Sequence, residues 1–156
     1  SPTIAKPMLC AVNFFRMGHY TELKCKLKLK KDTPESVLSL LKRVLIKKDL
    51  GHDKVLFDTN DVFKPELEHE FFKCERWYML FLSINWSDIQ GGKMYDEKGY
   101  SVIDLHTEFK NYDSEIDKFI DWISPFVVGR KKKEYVGWWK SESMDERINI
   151  YIKRSA

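Results

Sequence analysis

The chain has 156 residues, 43% hydrophobic and 33% charged, with 27 basic and 24 acidic side chains and a net charge of +3. Such a length is about one domain with enough apolar material for a core, and the composition excludes a disordered or fibrous chain. The small net charge excludes a DNA mimic and makes no global case for nucleic-acid binding.

Pro7 to Met17 reads as a first strand, and Gly18-His19 as a turn into a second strand over 20–31, which predicts a β-hairpin. In that second strand Leu23, Cys25, Leu27 and Leu29 alternate with Lys24, Lys26, Lys28 and Lys30. A period of two puts the apolar set on one face of a sheet and the lysines on the other, whereas a helix would scatter them. Thr33, Pro34 and Glu35 mark a helix start, with Thr33 as the candidate cap. Val37, Leu38, Leu41, Val44 and Leu45 then make one apolar stripe, and Gly51 stops the helix.

Residues 52–75 are the least readable stretch, with Val55-Leu56-Phe57 as a short strand and Pro65 interrupting any helix. Trp77 to Trp86 is the most hydrophobic run and predicts a central strand buried on both faces. Gly91-Gly92 opens a loop and Gly99 marks a turn, before a second alternating strand over 100–110. Asp113 is the expected cap of a second helix, whose Ile116, Phe119, Ile120 and Ile123 follow core spacing until Ser124-Pro125 ends it. A cationic loop, Arg130 to Lys133, leads to strands over 135–141 and 148–152. The order predicts a single α+β domain over 1–156, with an antiparallel or mixed sheet of about six strands and two main helices on its dry face.

Cys10, Cys25 and Cys74 are widely spaced and form no CxxC pair, so neither a zinc site nor a disulfide framework is expected. No signal-peptide core and no apolar run of about 18–20 residues appears, which predicts a cytoplasmic chain without a membrane partner.

Four constellations could carry function. Asp104, His106 and Glu108 share a strand face, where a histidine between carboxylates could orient a general base or part of a metal shell, with His69 or Glu70 as further ligands. Glu66, Glu68, His69 and Glu70 form an acidic patch without metal-ligand spacing, and a solvated loop is expected. No phosphate loop, nucleophile elbow or HExxH helix is present, so a non-enzyme without cofactor or metal is predicted; a Cys74 or Cys10 nucleophile would need a distant histidine.

The lysine face is the third: Lys24, Lys26, Lys28 and Lys30 recur at about 6.6–6.8 Å along the strand, near the phosphate spacing of a single-stranded nucleic acid. Arg130, Lys131, Lys132 and Lys133 would extend it. The fourth is Gly137-Trp138-Trp139-Lys140-Ser141-Glu142: adjacent tryptophans on a strand face opposite ways, leaving one to serve as a partner-binding anchor beside Lys140 and Glu142. Arg76 and Trp77 make a similar pair just before the hydrophobic run.

The succession Cys74-Glu75-Arg76-Trp77, an acid-rich helix over 113–123, Pro125, then Gly137-Trp138 and Glu142 resembles small α+β immunity proteins of bacterial toxin–immunity systems and mobile elements. The resemblance implies a cytosolic non-enzyme that binds and occludes a partner toxin. Nuclease-directed immunity proteins are usually acidic, so the mildly basic balance here points to another toxin activity.

Overall fold

A computed structural model describes residues 19–46, 65–84, 87–89, 91–129 and 131–154. The alternating lysine–leucine run becomes β1 (Thr21–Lys28), and the chain continues through α1 (Glu35–Leu45), 3-10 turns at Pro65–Leu67 and Glu70–Lys73, and the short α2 (Met79–Leu82). Then come β2 (Lys93–Glu97), β3 (Tyr100–Phe109), α3 (Glu115–Ile123), a 3-10 turn at Ser124–Phe126, β4 (Lys133–Ser141) and β5 (Ile148–Lys153). The five strands form one antiparallel sheet in the order β2-β3-β1-β4-β5, an α+β architecture.

β1 is the centre of this sheet because its leucines need cover and its lysines need water. Leu23, Cys25, Leu27 and Leu29 are at most 1% exposed, and each leucine buried this way contributes about 1.5–3 kcal/mol. Register carries the same face across the sheet: Leu23 lies opposite Thr107 and Trp139, Cys25 opposite Leu105 and Gly137, Leu27 opposite Ile103. Gly137 is required there, since a Cβ on it would stand 2.0 Å from the Lys24 carbonyl oxygen. β2 and β3 are joined by the two-residue turn Lys98-Gly99, both at positive φ, the twist-matched hairpin connection.

The helices cover this dry face. Val37, Leu40, Leu41, Val44 and Leu45 of α1 and Ile116, Phe119, Trp122 and Ile123 of α3 are buried in one core with the strand residues. Phe71 is fully buried at its centre, with ring centroids of Phe72, Phe81, Phe119 and Trp122 at 5.0, 6.0, 5.5 and 6.0 Å. Trp122 donates its indole N–H to the Glu66 carbonyl at 2.7 Å, which satisfies its one polar atom.

Four expectations are corrected. The described part of the strand expected over Trp77–Trp86 is no strand: Trp77 and Tyr78 lie in a turn, residues 79–82 form α2, and Ser83 breaks it at φ 70. A run apolar on every side reports burial but not period, and here the segment crosses beneath β3, where Thr107 donates its hydroxyl to the Leu80 carbonyl. Lys93–Glu97, read as loop, is a strand; it is polar because it is an edge. Thr33 donates to the Lys30 carbonyl instead of capping α1, whose cap position is Pro34. Ser114, not Asp113, precedes α3, and the Asn111 side-chain oxygen accepts from the Ile116 N–H. The strands expected at 7–17 and 55–57, the turn at Gly18 and the helix stop at Gly51 lie outside the described residues. β1, the expected hairpin partner of residues 7–17, has both edges paired over Thr21–Cys25.

Candidate functional site

Opposite the helices, the sheet presents a second face built from the alternate residues of every strand. Across its middle, Lys24 lies opposite His106 on β3 and Trp138 on β4, and Trp138 opposite Asn149 on β5. Glu22 lies beside Lys140 and Glu108, Lys26 beside Asp104, and Lys28 beside Val102. Cations outnumber carboxylates there: Lys24, Lys26, Lys28, Lys93, Lys133, Lys140 and Lys153 against Glu22, Glu97, Asp104 and Glu108.

Aromatic rings stand among these charges, and most are capped by one. The Arg147 guanidinium sits 3.9 Å from the Trp138 ring centroid. Lys133 lies 4.3 Å from the Tyr151 ring, Lys28 and Lys31 at 5.2 and 4.8 Å from that of Tyr100, and Lys26 at 5.9 Å from that of Tyr95. Each such contact is worth about 0.5–1 kcal/mol at an exposed position. The Tyr95 hydroxyl, and Glu97 after it, hold the Lys26 amine above its usual range. Tyr95 and Lys28 flank Val102 in register, which leaves this one apolar residue of the open face fully buried. Tyr135 is exposed and meets Tyr151 edge-on at 5.7 Å.

His106 pairs with a carboxylate of the neighbouring strand. Its Nε2 is 2.6 Å from Glu22 Oε2, across the strand pair, with both side chains more than a third exposed. A shallow cavity of about 440 Å³ opens beside it, bordered by Lys24, Lys93, Asp88 and Asp104. His69 is far removed in role: its Nδ1 accepts from the Phe71 N–H at 3.0 Å and its Nε2 faces Asp121 at 2.7 Å, which places the ring proton on Nε2. Lys73 keeps the Glu70 carboxylate below its usual range. Among the described residues no group of three His, Cys, Asp or Glu side chains could hold a metal ion.

The cysteines are poor nucleophiles in this setting. Burial pushes the Cys25 thiol to about 12, with Asp104 adding to it. Cys74 is also raised by burial, although Lys118, whose Nζ is 3.9 Å from its Sγ, opposes the shift. Burial likewise raises the Glu115 carboxyl, partly offset by backbone N–H groups of its own residue and Asp113. Cys10 lies outside the described residues.

The residues expected to anchor a partner do not form one surface. Trp138 and Lys140 are on the open face, whereas Trp139 faces the helices and borders a groove with Ile116, Ile120, Ile148 and Ile150. Trp77 is only 4% exposed and packs at 5.1 Å from Phe72, so it belongs to the core and not to a docking surface. Arg76 is exposed and borders another cavity, with Lys110, Tyr112 and Glu115 where β3 gives way to α3. Glu142 follows β4 and donates its N–H to the Tyr20 carbonyl. Of the nucleic-acid set, Lys24, Lys26, Lys28 and Lys133 share the open face, while Lys30, Lys131 and Lys132 are exposed beyond the strand ends. Arg130 lies outside the described residues. Sequence reasoning missed Tyr95, Tyr100, Tyr135, Tyr151 and Arg147; parity within 148–153 was the available signal for Tyr151, whereas Tyr135 reaches the open face through a β-bulge between Tyr135 and Gly137 that parity does not show.

No protein family, no curated protein and no solved structure matches this chain. No helix among the described residues is long and apolar enough to cross a membrane.

Proposed function

We propose that the protein is a binding module whose working surface is the open face of the sheet, and that its ligand is another protein with an acidic contact surface. The observation that carries this reading is Trp138: partly exposed, stacked against Arg147, opposite Lys24 and on the same strand face as Lys140. Tryptophan, tyrosine and arginine are the residues from which interface hot spots are built, and surrounding charges supply the rim. The excess of lysines selects a negatively charged partner and speeds encounter with it. A toxin domain held in an occluded complex is the partner that the immunity-protein resemblance supports.

The same lysines support a second reading, single-stranded nucleic acid laid along Lys24, Lys26 and Lys28. Two features favour protein over it. Base stacking needs free ring faces, and those of Trp138, Tyr151 and Tyr100 already carry cations. Glu22, Asp104 and Glu108 also interrupt any phosphate track.

Immobilised protein and its Trp138→Ala/Arg147→Ala variant, exposed to the same native lysate, distinguish the readings. The expected outcome is an acidic protein retained by the first and at least about 30-fold weaker on the second, the loss of one hot spot. Equal retention by both overturns the assignment. A gel shift with single-stranded oligonucleotides that collapses as salt rises transfers it to nucleic acid.

A further inference from the structure

We infer that two copies of the chain associate through β2, in antiparallel register about a two-fold axis at Tyr95, fusing two five-stranded sheets into one. β2 is an outer strand: β3 pairs with one side, and among the described residues no strand pairs with the other. Its outward N–H and C=O groups form a template for another strand. What selects a second copy as the occupant is the order of charges along the edge.

On the open face β2 presents Lys93, Tyr95 and Glu97 in turn. A two-fold axis through Tyr95 places each copy's Lys93 opposite the other's Glu97 and sets the two tyrosines side by side. Opposite-charge pairs facing each other across strands stabilise a sheet, and like pairs do the reverse. A strand running basic, aromatic, acidic is therefore complementary to itself only in the antiparallel sense. A two-fold interface uses that sense, with each pair counted twice. Glu97 has capacity for this role, since its contact with Lys28 is 3.9 Å long and both side chains remain over two-fifths exposed.

A second feature lies at the end of the same edge. Gly92 packs so tightly on the last turn of α1 that a Cβ there would stand 2.7 Å from Leu45 Cδ2. The next residue, Ile46, is 56% exposed, the most exposed aliphatic among the described residues. The Gly92 N–H already donates to the Phe81 carbonyl at 2.7 Å, so the seam is confined to Lys93–Glu97 and ends at this packed glycine. Both open faces end on the same side of the fused sheet, because the axis is perpendicular to it. The inference does not depend on what that face binds.

Sedimentation of the full chain over rising micromolar concentrations tests the seam. A concentration-dependent dimer is expected, weakened about tenfold or more by Glu97→Lys and by Lys93→Glu, each of which brings like charges together twice. The double exchange Lys93→Glu/Glu97→Lys restores it. Should a single variant lose its circular-dichroism signature, Tyr95→Arg, which opposes two cations at the axis, replaces it. A chain that stays monomeric, a dimer indifferent to every variant, or a folded double exchange that fails to dimerise overturns the inference.

Discussion

The two faces of β1 differ in what their side chains are for, although they alternate residue by residue. Leu23, Leu27 and Leu29 are enclosed by helices, and their order is fixed by volume and contact. Lys24, Lys26 and Lys28 stand one position away on the same backbone and face water; Lys26 meets the Tyr95 ring and hydroxyl, and Lys28 the Tyr100 ring and, over a long ion pair, Glu97. A sheet with one packed face can leave the other free to vary in chemistry without loss of fold. Stability and the proposed recognition are thereby placed on opposite sides of a single strand.

The sharpest way to break that division is through the packed side. Phe71→Ala, at the centre of the aromatic cluster, is expected to cost about 3–5 kcal/mol, and Leu27→Ala about 2–5 kcal/mol, in urea unfolding. Gly137→Ala comes next, at about 1–3 kcal/mol, because the added methyl meets the Lys24 carbonyl and β1 and β4 must separate to admit it. A fully native Gly137→Ala protein would mean that the two strands approach less closely than described.

Cys25 offers a comparison within the packed face itself. Folding keeps its proton where the unfolded chain releases it near the ordinary value of 9.0, because the folded thiol titrates only at about 12. Its contribution is therefore whole below pH 9 and is lost as pH rises toward 12, with a slope of up to about 1.4 kcal/mol per pH unit. Unfolding midpoints across the alkaline range should fall less steeply in Cys25→Ala than in the parent. Identical slopes would show that the thiol is not sealed from water.

How legible these faces were depends on the distance over which their order is encoded. Strict alternation at 23–30 and 100–109 is a local pattern, and both segments are strands with the expected face inward. The stripe Ile116, Phe119, Ile120 and Ile123 is equally local; Ile116, Phe119 and Ile123 are buried and Ile120 is partly buried against the same core. Trp77–Leu82 carries no period, since helix and core surround it on several sides, and so its burial was readable but its conformation was not. Lys93–Glu97 gave the opposite failure: an edge strand with Met94 alone packed on the core has too short an apolar alternation to read. For the candidate site, the lysine row and the divergence of Trp138 from Trp139 follow from parity alone. The pairing of Arg147 with Trp138, and the burial of Trp77 away from both, are products of the tertiary fold and leave no trace in local spacing.

The smallest expected effect is the most discriminating. Lys24 is exposed and lies opposite His106 and Trp138, so Lys24→Ser removes a charge from the centre of the open face without opening the core. Its stability change should stay within about 0.5 kcal/mol. Val102→Ala, on the same face but fully buried beside Tyr95 and Lys28, is expected to cost more than that limit, because the rings and stems that cover it lose their support. Urea unfolding of the two variants side by side separates position on a face from burial. If Lys24→Ser proves the costlier of the two, the lysine row helps hold the sheet together and is not simply a surface displayed by it.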